Sequence, residues 1–348
     1  MRVNLTYQRC GIVLAPDGSL LEAEGVLNPG IVRDRGGTLL MYPRMVAPGN
    51  VSRVGLARAV ESANGIAFER EGVVLEPRKG YERRSVAGGY GCEDPRVTFI
   101  PRLDVYVLAY TAFGPEGPRI ALAISSDAHA WTRLGLIEFA DDAFNYVPNK
   151  DGAFFPEIVS SPRGVPSFAF YHRPMLKSNV EGQAPIPLLL AMPAERREVM
   201  CIAYVAAERA LRDVDGLRFV MESVRVLEVG ERWGRLKNGA GTPPVKTSAG
   251  WLSVFHGVDS LERPGGGASL HYRAGLVLHD LERPHEVLYR SEEPFLRPQT
   301  PEERLGIVND VVFPTGIDPL DEGRYDLYYG AADAKVARAR IEVAFQDT

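Results

Sequence analysis

Short apolar stretches, many of them alternating with polar residues, recur along the whole chain and are separated by glycine, proline and aspartate. This pattern predicts many antiparallel β-strands, because side chains alternate between the two faces of a strand and turns need residues that tolerate unusual backbone angles. Long helical patterns are scarce. The predicted fold class is therefore all-β.

One hairpin pattern occurs five times along the chain. Each copy has a polar or proline-containing start, an apolar strand, a turn and a second strand that ends in an aromatic residue. The copies are "LNPGIVRDRGGTLLMYPR", "CEDPRVTFIPRLDVYVLAYTAF", "FFPEIVSSPRGVPSFAFYHRP", "GTPPVKTSAGWLSVFHGV" and "NDVVFPTGIDPLDEGRYDLYYGAAD". Several copies are followed by another alternating strand, such as "PRIALAISSD". Such repetition predicts one domain over residues 1–348, a five-bladed β-propeller with its active site at the central channel. A β-sandwich or two tandem β-domains is the alternative.

Polar residues stand at corresponding ends of the repeated strands. Because the innermost strands of a propeller surround its central channel, these residues are predicted to meet there. At the strand starts they are Asn28, Glu93, Asp94, Glu157, Asn309 and Asp310. At the ends of the neighbouring strands they are Arg44, Thr111, His172, Arg173, His256 and Asp333. Carboxylates suit protonation of a glycosidic oxygen, and arginine, lysine and histidine suit an oxyanion. A site that holds both could cleave a sugar bond with phosphate instead of water.

Two of the polar residues have a competing structural interpretation. Arg96 in "EDPR" is equally suited to fixing Glu93 or Asp94 in place, and His172 is equally suited to packing. Cys92 lies beside the two acids, but no base stands at a definable spacing, so packing is the favoured interpretation.

Composition narrows the function classes. The 348 residues are 45% hydrophobic and 24% charged, as expected for a globular protein. A net charge of -5 gives no electrostatic reason to expect nucleic acid or an anionic membrane as a partner. The three cysteines lack zinc-ligand spacing, and neither a signal peptide nor a long apolar run is found. We therefore predict a soluble, cytoplasmic protein without a metal.

Five ordered motifs resemble glycoside hydrolase family 130, a family of inverting β-mannoside phosphorylases and some β-1,2-mannosidases. They are "GCEDPR", "NKDGAFFPE" with "YHRP", "KNGAGTPPVKTSAGWLSVFHGV", "YRAGLVLHDLERP" and "NDVVFPTG" with "YYGAAD". The resemblance extends from about Asn28 to Asp333 and implies the same five-bladed propeller. It also implies an enzyme that needs no cofactor and uses inorganic phosphate as its second substrate.

The resemblance assigns roles to individual residues. Asp94 is implied to be the catalytic acid, which donates its proton through a sugar hydroxyl. The implied phosphate-binding residues are Lys150, Arg173, Lys237, His256 and Tyr272. The implied mannose-binding residues are Asn28, Arg44, Arg53 and Asp333, and we expect Glu93 to contact the substrate with them.

The leading hypothesis is an inverting phosphorylase that converts a β-mannoside, most simply a β-1,2-linked one, and phosphate to α-mannose 1-phosphate. The alternatives are an inverting β-1,2-mannosidase and a non-catalytic carbohydrate-binding propeller. Lys150 departs from the arginine common at that position, which keeps the charge but loses the bidentate geometry. The apolar segment after Arg173 is also unusual, and it is predicted to shape the acceptor side or a homo-oligomer contact.

Overall fold

The computed structural model describes residues 2–62, 65–86, 88–176, 186–262 and 268–346. In these residues the chain forms 24 strands and four short α-helices, which confirms the all-β prediction. The helices are α1 (Asp142–Asn145), α2 (Ile186–Ala191), α3 (Ala207–Arg212) and α4 (Pro301–Arg304). Within the described residues, no helix is both long and apolar enough to cross a membrane.

The first two predicted copies share one eight-stranded sheet. Two antiparallel meanders, β2–β5 and β6–β9, are joined by a short parallel pairing of β4 with β6. The strands are β2 (Gly25–Arg33), β3 (Leu39–Ala47), β4 (Val51–Ser62), β5 (Gly65–Leu75), β6 (Tyr90–Ile100), β7 (Val105–Gly114), β8 (Gly117–Ser125) and β9 (Thr132–Leu136).

The third and fourth copies each form a five-stranded antiparallel sheet. The third contains β11 (Asn149–Phe154), β12 (Val159–Ser160), β13 (Pro166–Pro174), β14 (Met200–Ala206) and β16 (Glu222–Leu227). The fourth contains β17 (Lys237–Ala240), β18 (Val245–Thr247), β19 (Gly250–Glu262), β20 (Ala268–His279) and β21 (Val287–Arg290). A separate parallel pair consists of β10 (Glu138–Phe139) and β15 (Phe219–Val220).

The fifth copy joins the beginning of the chain to its end. The N-terminal strand pairs with the last strand, giving the sheet order β1–β24–β23–β22. The strands are β1 (Arg2–Leu14), β22 (Val312–Asp321), β23 (Arg324–Ala331) and β24 (Lys335–Gln346). Large apolar clusters fill the space where one sheet packs on the next, as where Phe154 and Phe170 of the third copy's sheet share a cluster with Ile100 and Val107 of the eight-stranded sheet. The sheets thereby bury their apolar faces against one another.

The first strands of three copies share a local distortion that aims polar side chains. The register of β2, β6 and β11 shifts at Leu27/Gly30, Glu93/Arg96 and Lys150/Ala153. Within these irregularities Asn28, Asp94 and Asp151 have φ angles of 44°, 47° and 64°. Asparagine and aspartate tolerate this left-handed conformation better than other residues with a side chain, and a bulge re-aims the residue it carries. The distortion explains why short polar residues occupy these three positions.

Candidate functional site

A cavity of about 470 Å³ is lined by residues from the four large sheets. Its volume lies in the range usual for small-molecule sites. The lining residues are Asn28, Arg44, Asn50, Gly88, Glu93, Asp94, Phe113, Lys150, Asp151, Arg173, Met175, Lys237, Leu270, Tyr272, Val311, Phe313 and Asp333. Nine of the eleven predicted site residues are among them, all except Arg53 and His256.

Asp94 is held in place through one of its two carboxylate oxygens. Asn28 donates a hydrogen bond from Nδ2 to Asp94 Oδ1 over 2.9 Å, and Arg44 donates from Nη1 to the same oxygen over 3.1 Å. The side chain lies in the cavity wall and is almost fully buried. Since both of these hydrogen bonds end on Oδ1, Oδ2 is the oxygen left to meet a substrate.

The charges around Asp94 favour its ionised form. Burial alone would raise the pKa of Asp94, because a carboxylate is less stable away from water. The positive charges of Arg44 and Lys150 outweigh burial and hold that pKa below its usual value. An acid in this environment needs a change on substrate binding before it can hold a proton.

Glu93 connects two cations on the same side of the cavity. Arg44 donates from Nη2 to Glu93 Oε1 over 3.0 Å, and Lys150 donates from Nζ to Glu93 Oε2 over 3.0 Å. The side chain of Glu93 is only 3% exposed. The ammonium group of Lys150, which is predicted to bind phosphate, therefore lies on the carboxylate of Glu93.

Asp333 is the third carboxylate on this side of the cavity. Burial and the negative charges of Asp94 and Glu93 raise the pKa of Asp333 to about 6, although Arg44 opposes the shift. Its φ angle of 50° again lies in the left-handed region. Carboxyl groups with unlike proton affinities thus lie close together, an arrangement common in acid–base sites.

The other side of the cavity is built around Arg173. This arginine donates from Nε to Asp151 Oδ2 over 2.6 Å and from Nη1 to Glu198 Oε2 over 2.7 Å. All three side chains are at most 5% exposed. Burial would lower the pKa of Arg173, but the two carboxylates outweigh it and keep the guanidinium charged.

Lys237 differs from Arg173 because it makes no ion pair with a carboxylate among the described residues. It is 8% exposed and lies in the cavity wall. Its Nζ atom lies 5.6 Å from the centroid of the Tyr272 ring, which also lines the cavity. An ammonium group that reaches the cavity without a carboxylate partner suits a bound anion.

His256 lies behind the cavity wall. It is fully buried, its ring centroid lies 4.5 Å from that of Phe313, and its Nε2 atom lies 3.7 Å from Asp151 Oδ2. Burial lowers the pKa of His256 to about 3; Asp151 opposes this shift, whereas the charges of Arg173 and Lys237 add to it. The imidazole is therefore neutral at pH 7.

The structure does not bring Arg53 or Glu157 into the cavity lining. Arg53 follows Ser52 on β4, and the hydroxyl of Ser52 accepts a hydrogen bond from Arg44. Successive side chains of a strand point to opposite faces, so Arg53 leaves the face that carries Arg44. Convergence was also wrong for Glu157, which is exposed and forms an ion pair of 2.6 Å with Lys246.

The remaining polar strand ends have structural contacts. The backbone carbonyl of Asp310 accepts from the Tyr272 amide, and the side chain of Asn309 accepts from the Gly306 amide. Neither Asp310 nor Asn309 is part of the cavity lining, and Thr111 is the cross-strand partner of Glu93. Thr111, Asn309 and Asp310 therefore lie behind or beside the residues that line the cavity.

His172 has a packing role in the structure. It is buried, lies 3.0 Å from Asn149 Nδ2 through Nδ1, and lies 2.7 Å from Ser223 Oγ through Nε2. Both ring nitrogens thus have partners outside the cavity.

Cys92 is buried as well. Burial raises the pKa of its thiol far above the ordinary value, which excludes a thiolate nucleophile at neutral pH.

Arg96 is a structural partner of Asp94. Its Nη1 atom donates to the backbone carbonyl of Asp94 over 3.0 Å, while Nε donates to the carbonyl of Gly241 over 3.0 Å and Nη2 to that of Ala240 over 3.2 Å. The side chain is 1% exposed. Arg96 thereby ties the backbone of β6 to that of the fourth sheet.

Asp151 and Glu198 are the residues that the sequence analysis missed. Asp151 could have been found, because "KDGA" at residues 150–153 aligns with "EDPR" at 93–96 when the left-handed position is used as the reference. The sequence pattern instead predicts Glu157 as the polar residue at the start of the third copy's first strand. Glu198 carries no comparable sequence signal, since it precedes β14 and reaches Arg173 only through the fold.

Among the described residues, no group of three or more histidine, cysteine, aspartate or glutamate side chains is arranged to hold a metal ion. The cavity wall itself offers carboxylates, cations and hydrogen-bonding groups.

Comparison with known proteins places these features in a family. The family model described as beta-1,4-mannooligosaccharide phosphorylase matches residues 12–179 and 215–345. A 1,2-beta-oligomannan phosphorylase of Thermoanaerobacter sp. (strain X514) is 29% identical over 332 residues, which cover 92% of this chain and 91% of that protein. A beta-1,2-mannobiose phosphorylase of the same organism is 28% identical over 84% of this chain and 78% of its own length.

A solved structure shows the same fold. The beta-1,2-mannobiose phosphorylase from Listeria innocua, in its complex with beta-1,2-mannobiose, superposes with a TM-score of 0.72. The aligned region covers 97% of each chain at 22% sequence identity.

Proposed function

Because this chain belongs to glycoside hydrolase family 130, we propose that it is an inverting β-mannoside phosphorylase. Phosphate attacks the anomeric carbon of a terminal β-mannosyl residue, and the products are α-mannose 1-phosphate and an acceptor shortened by one sugar. The relatives named 1,2-beta-oligomannan phosphorylase and beta-1,2-mannobiose phosphorylase favour β-1,2-linked manno-oligosaccharides as the substrate.

The observation that carries this proposal is the unpaired cation Lys237 in the same cavity as the carboxyl group of Asp94. Lys237 is almost completely buried and has no carboxylate to neutralise it within the described part of the chain. Burying such a charge is costly unless an anion balances it. Phosphate would supply that anion beside Arg173 and Tyr272.

The arrangement supports phosphorolysis over hydrolysis. An inverting hydrolase needs a carboxylate that acts as a base and activates water. The carboxylates nearest the cation side, Asp151 and Glu198, both accept hydrogen bonds from Arg173. Burial would raise the pKa of Asp151, but Arg173 and Arg96 outweigh it and hold that pKa far below its usual range, so Asp151 is a weak base. Phosphate is already anionic and needs no such base.

We assign the proton donor to Asp94. As phosphate forms its bond to the anomeric carbon, the bond to the leaving oxygen breaks and that oxygen takes a proton. The family resemblance routes this proton from Asp94 through a sugar hydroxyl. A bound mannoside excludes water, and a phosphate anion adds negative charge, so both raise the pKa of Asp94 toward a value at which it can hold the proton.

The other cavity residues have assigned roles in substrate binding. Asn28, Arg44, Glu93 and Asp333 bind mannose hydroxyls near Asp94, and Arg173, Lys237 and Tyr272 bind phosphate. His256 supports the phosphate site from behind the wall. Lys150 can change its partner from Glu93 to phosphate when phosphate is bound.

The same proposal includes the arrangement of the sheets. We place five units as the blades of one domain around the cavity. They are the two meanders of the eight-stranded sheet, the two five-stranded sheets and the sheet that joins both chain ends. The pairing of β1 with β24 supports this arrangement, because it attaches the beginning of the chain to the last sheet.

Incubation with β-1,2-mannobiose in the presence and absence of phosphate tests the proposed function. We expect mannose 1-phosphate and free mannose in equal amounts with phosphate, and no cleavage without it. Asp94→Asn is the inactive control. Phosphate-independent release of mannose would replace this proposal with the hydrolase.

A further inference from the structure

We propose that Asp151 is a positioning residue. It holds the anion-binding arginine Arg173 and the acid Asp94 at the correct distance and orientation relative to each other. The inference rests on the proposed function, since it concerns how the two halves of that site are aligned. Asp151 itself is assigned no contact with the reacting atoms.

The contacts of Asp151 reach both halves of the site. Its Oδ2 atom accepts from Arg173 Nε over 2.6 Å. Its Oδ1 atom lies 3.6 Å from Arg96 Nη2, and Arg96 holds the backbone carbonyl of Asp94 over 3.0 Å. An ion pair of 3.6 Å followed by a hydrogen bond therefore joins Asp151 to the backbone of the catalytic acid, and one hydrogen bond joins it to the phosphate-binding side.

Burial makes these contacts rigid. The side chains of Asp151 and Arg96 are each 1% exposed, and that of Arg173 is 5% exposed. In the absence of competing water, a carboxylate between two guanidinium groups strongly fixes their orientation. A second support comes from Glu198, which accepts from Nη1 of Arg173.

The surrounding backbone leaves little room for Asp151 to move. Its φ angle of 64° is tolerated by aspartate and asparagine, which restricts the residue types that fit. Gly239 on β17 faces the same group: a Cβ atom at this position would overlap Asp151 Oδ2 and would lie 2.7 Å from His256 Cε1 and 2.8 Å from Arg173 Nε. The glycine allows the fourth sheet to pack directly on the carboxylate.

Asp151 also sets the local charge. The buried guanidinium groups Arg96 and Arg173 would repel each other without an anion between them, and each lowers the pKa of neighbouring bases such as His256. Asparagine keeps the shape and the left-handed backbone but presents no negative charge. In Asp151→Asn we therefore expect Arg96 and Arg173 to separate, which shifts Asp94 and the phosphate site relative to each other.

The decisive test compares two substrates in the Asp151→Asn enzyme. β-1,2-Mannobiose needs its leaving oxygen protonated, whereas 2,4-dinitrophenyl β-mannoside has a leaving group that departs without a proton. We expect kcat to fall about thirty- to a hundredfold with mannobiose and only about three- to tenfold with the activated substrate, the scale of a misplaced general acid. The KM for either mannoside should remain within about threefold of the wild-type value.

Asp326→Asn is the matched control. Asp326 is another fully buried carboxylate that binds two arginines, Arg338 and Arg340, and it is not part of the cavity lining. Its replacement should lower the melting temperature while leaving kcat and the ratio between the two substrates unchanged. A merely structural role of Asp151 would give the same result as this control.

Gly239→Ala provides a second variant that keeps every charge. The added methyl group would displace Asp151, so it should reproduce the unequal loss with the two substrates. It carries the test by itself should Asp151→Asn fail to fold. Equal losses with both substrates, or losses below about threefold, would overturn the inference. Wild-type production of mannose 1-phosphate tests the proposed function separately and is unaffected by either outcome.

Discussion

Replacing Lys237 by methionine measures how much the positive charge of Lys237 contributes to phosphate binding. Methionine has a similar length and polarity to the lysine stem but carries no charge. Lys237 has no carboxylate partner in the part of the chain that the structure describes, so its loss leaves no buried carboxylate unpaired. Arg173 is a less suitable target, because its removal would strand Asp151 and Glu198, and breaking a buried ion pair costs about 3–5 kcal/mol of stability.

The burial of Lys237 sets the expected size of the change in the KM for phosphate. Lys237 is 8% exposed, so a phosphate oxygen that contacts its ammonium group would do so with little competing water. A hydrogen bond to a charged group of this kind contributes about 1.5–3 kcal/mol, which corresponds to roughly a ten- to hundredfold change in affinity. Lys237→Met should raise the KM for phosphate by this factor and leave the KM for the mannoside nearly unchanged. The free energy of unfolding without phosphate should stay the same or increase, because a buried unpaired charge has been removed.

Initial rates at saturating mannoside and varied phosphate measure this effect, and chemical denaturation measures stability. Lys246→Met is the control, since Lys246 forms an exposed ion pair with Glu157 outside the cavity lining. The control should change neither KM value. An unchanged KM for phosphate in Lys237→Met would refute the placement of phosphate beside this lysine.

Three further predictions concern protons. Asp94→Asn should fold normally and lose at least about a hundredfold in kcat with mannobiose, the usual scale for removing a general acid; near-normal turnover would place the acid elsewhere. The pKa of Asp333 near 6 predicts that kcat/KM falls as the pH rises through 6, because ionisation adds negative charge opposing the phosphate anion; Asp333→Asn should lack this ionisation while retaining that of phosphate itself. Burial lowers the pKa of His172 and His256 to about 3 and that of His279 to about 4. Each histidine is therefore neutral in the folded protein, and below about pH 6.5 it takes up a proton when the protein unfolds. The free energy of unfolding should thus fall by about 2 kcal/mol for each histidine between pH 7 and pH 5, and calorimetry that finds no proton uptake on unfolding at pH 5 would contradict this.

Much of the strand pattern was predictable because it depends on local alternation. The added strand predicted in "PRIALAISSD" corresponds to β8. The acid side of the cavity was predictable as well, because Asn28 and Asp94 occupy matching positions in their copies and share a hydrogen bond. Where polar residues recur at the same position of each copy, the sequence is sufficient to predict that they lie close together.

The errors arose where side-chain direction or distant packing decides the outcome. Glu157 was misplaced because proline and an acid recur near it, although the left-handed position that aims a side chain inward belongs to Asp151. Arg53 is implied at the mannose site by the resemblance, but strand alternation beside Ser52 turns it from the face that carries Arg44, so its role stays a prediction. Glu198 binds Arg173 through packing of residues far from the strand starts, so no spacing could have revealed it.

The configuration of the first product tests the central claim most directly. Proton and phosphorus NMR spectra should be recorded during the first turnovers of β-1,2-mannobiose in phosphate buffer. We expect α-mannose 1-phosphate as the first phosphorylated product, formed together with one free mannose. Free mannose as the sole product, or mannose 1-phosphate in the β configuration, would contradict it.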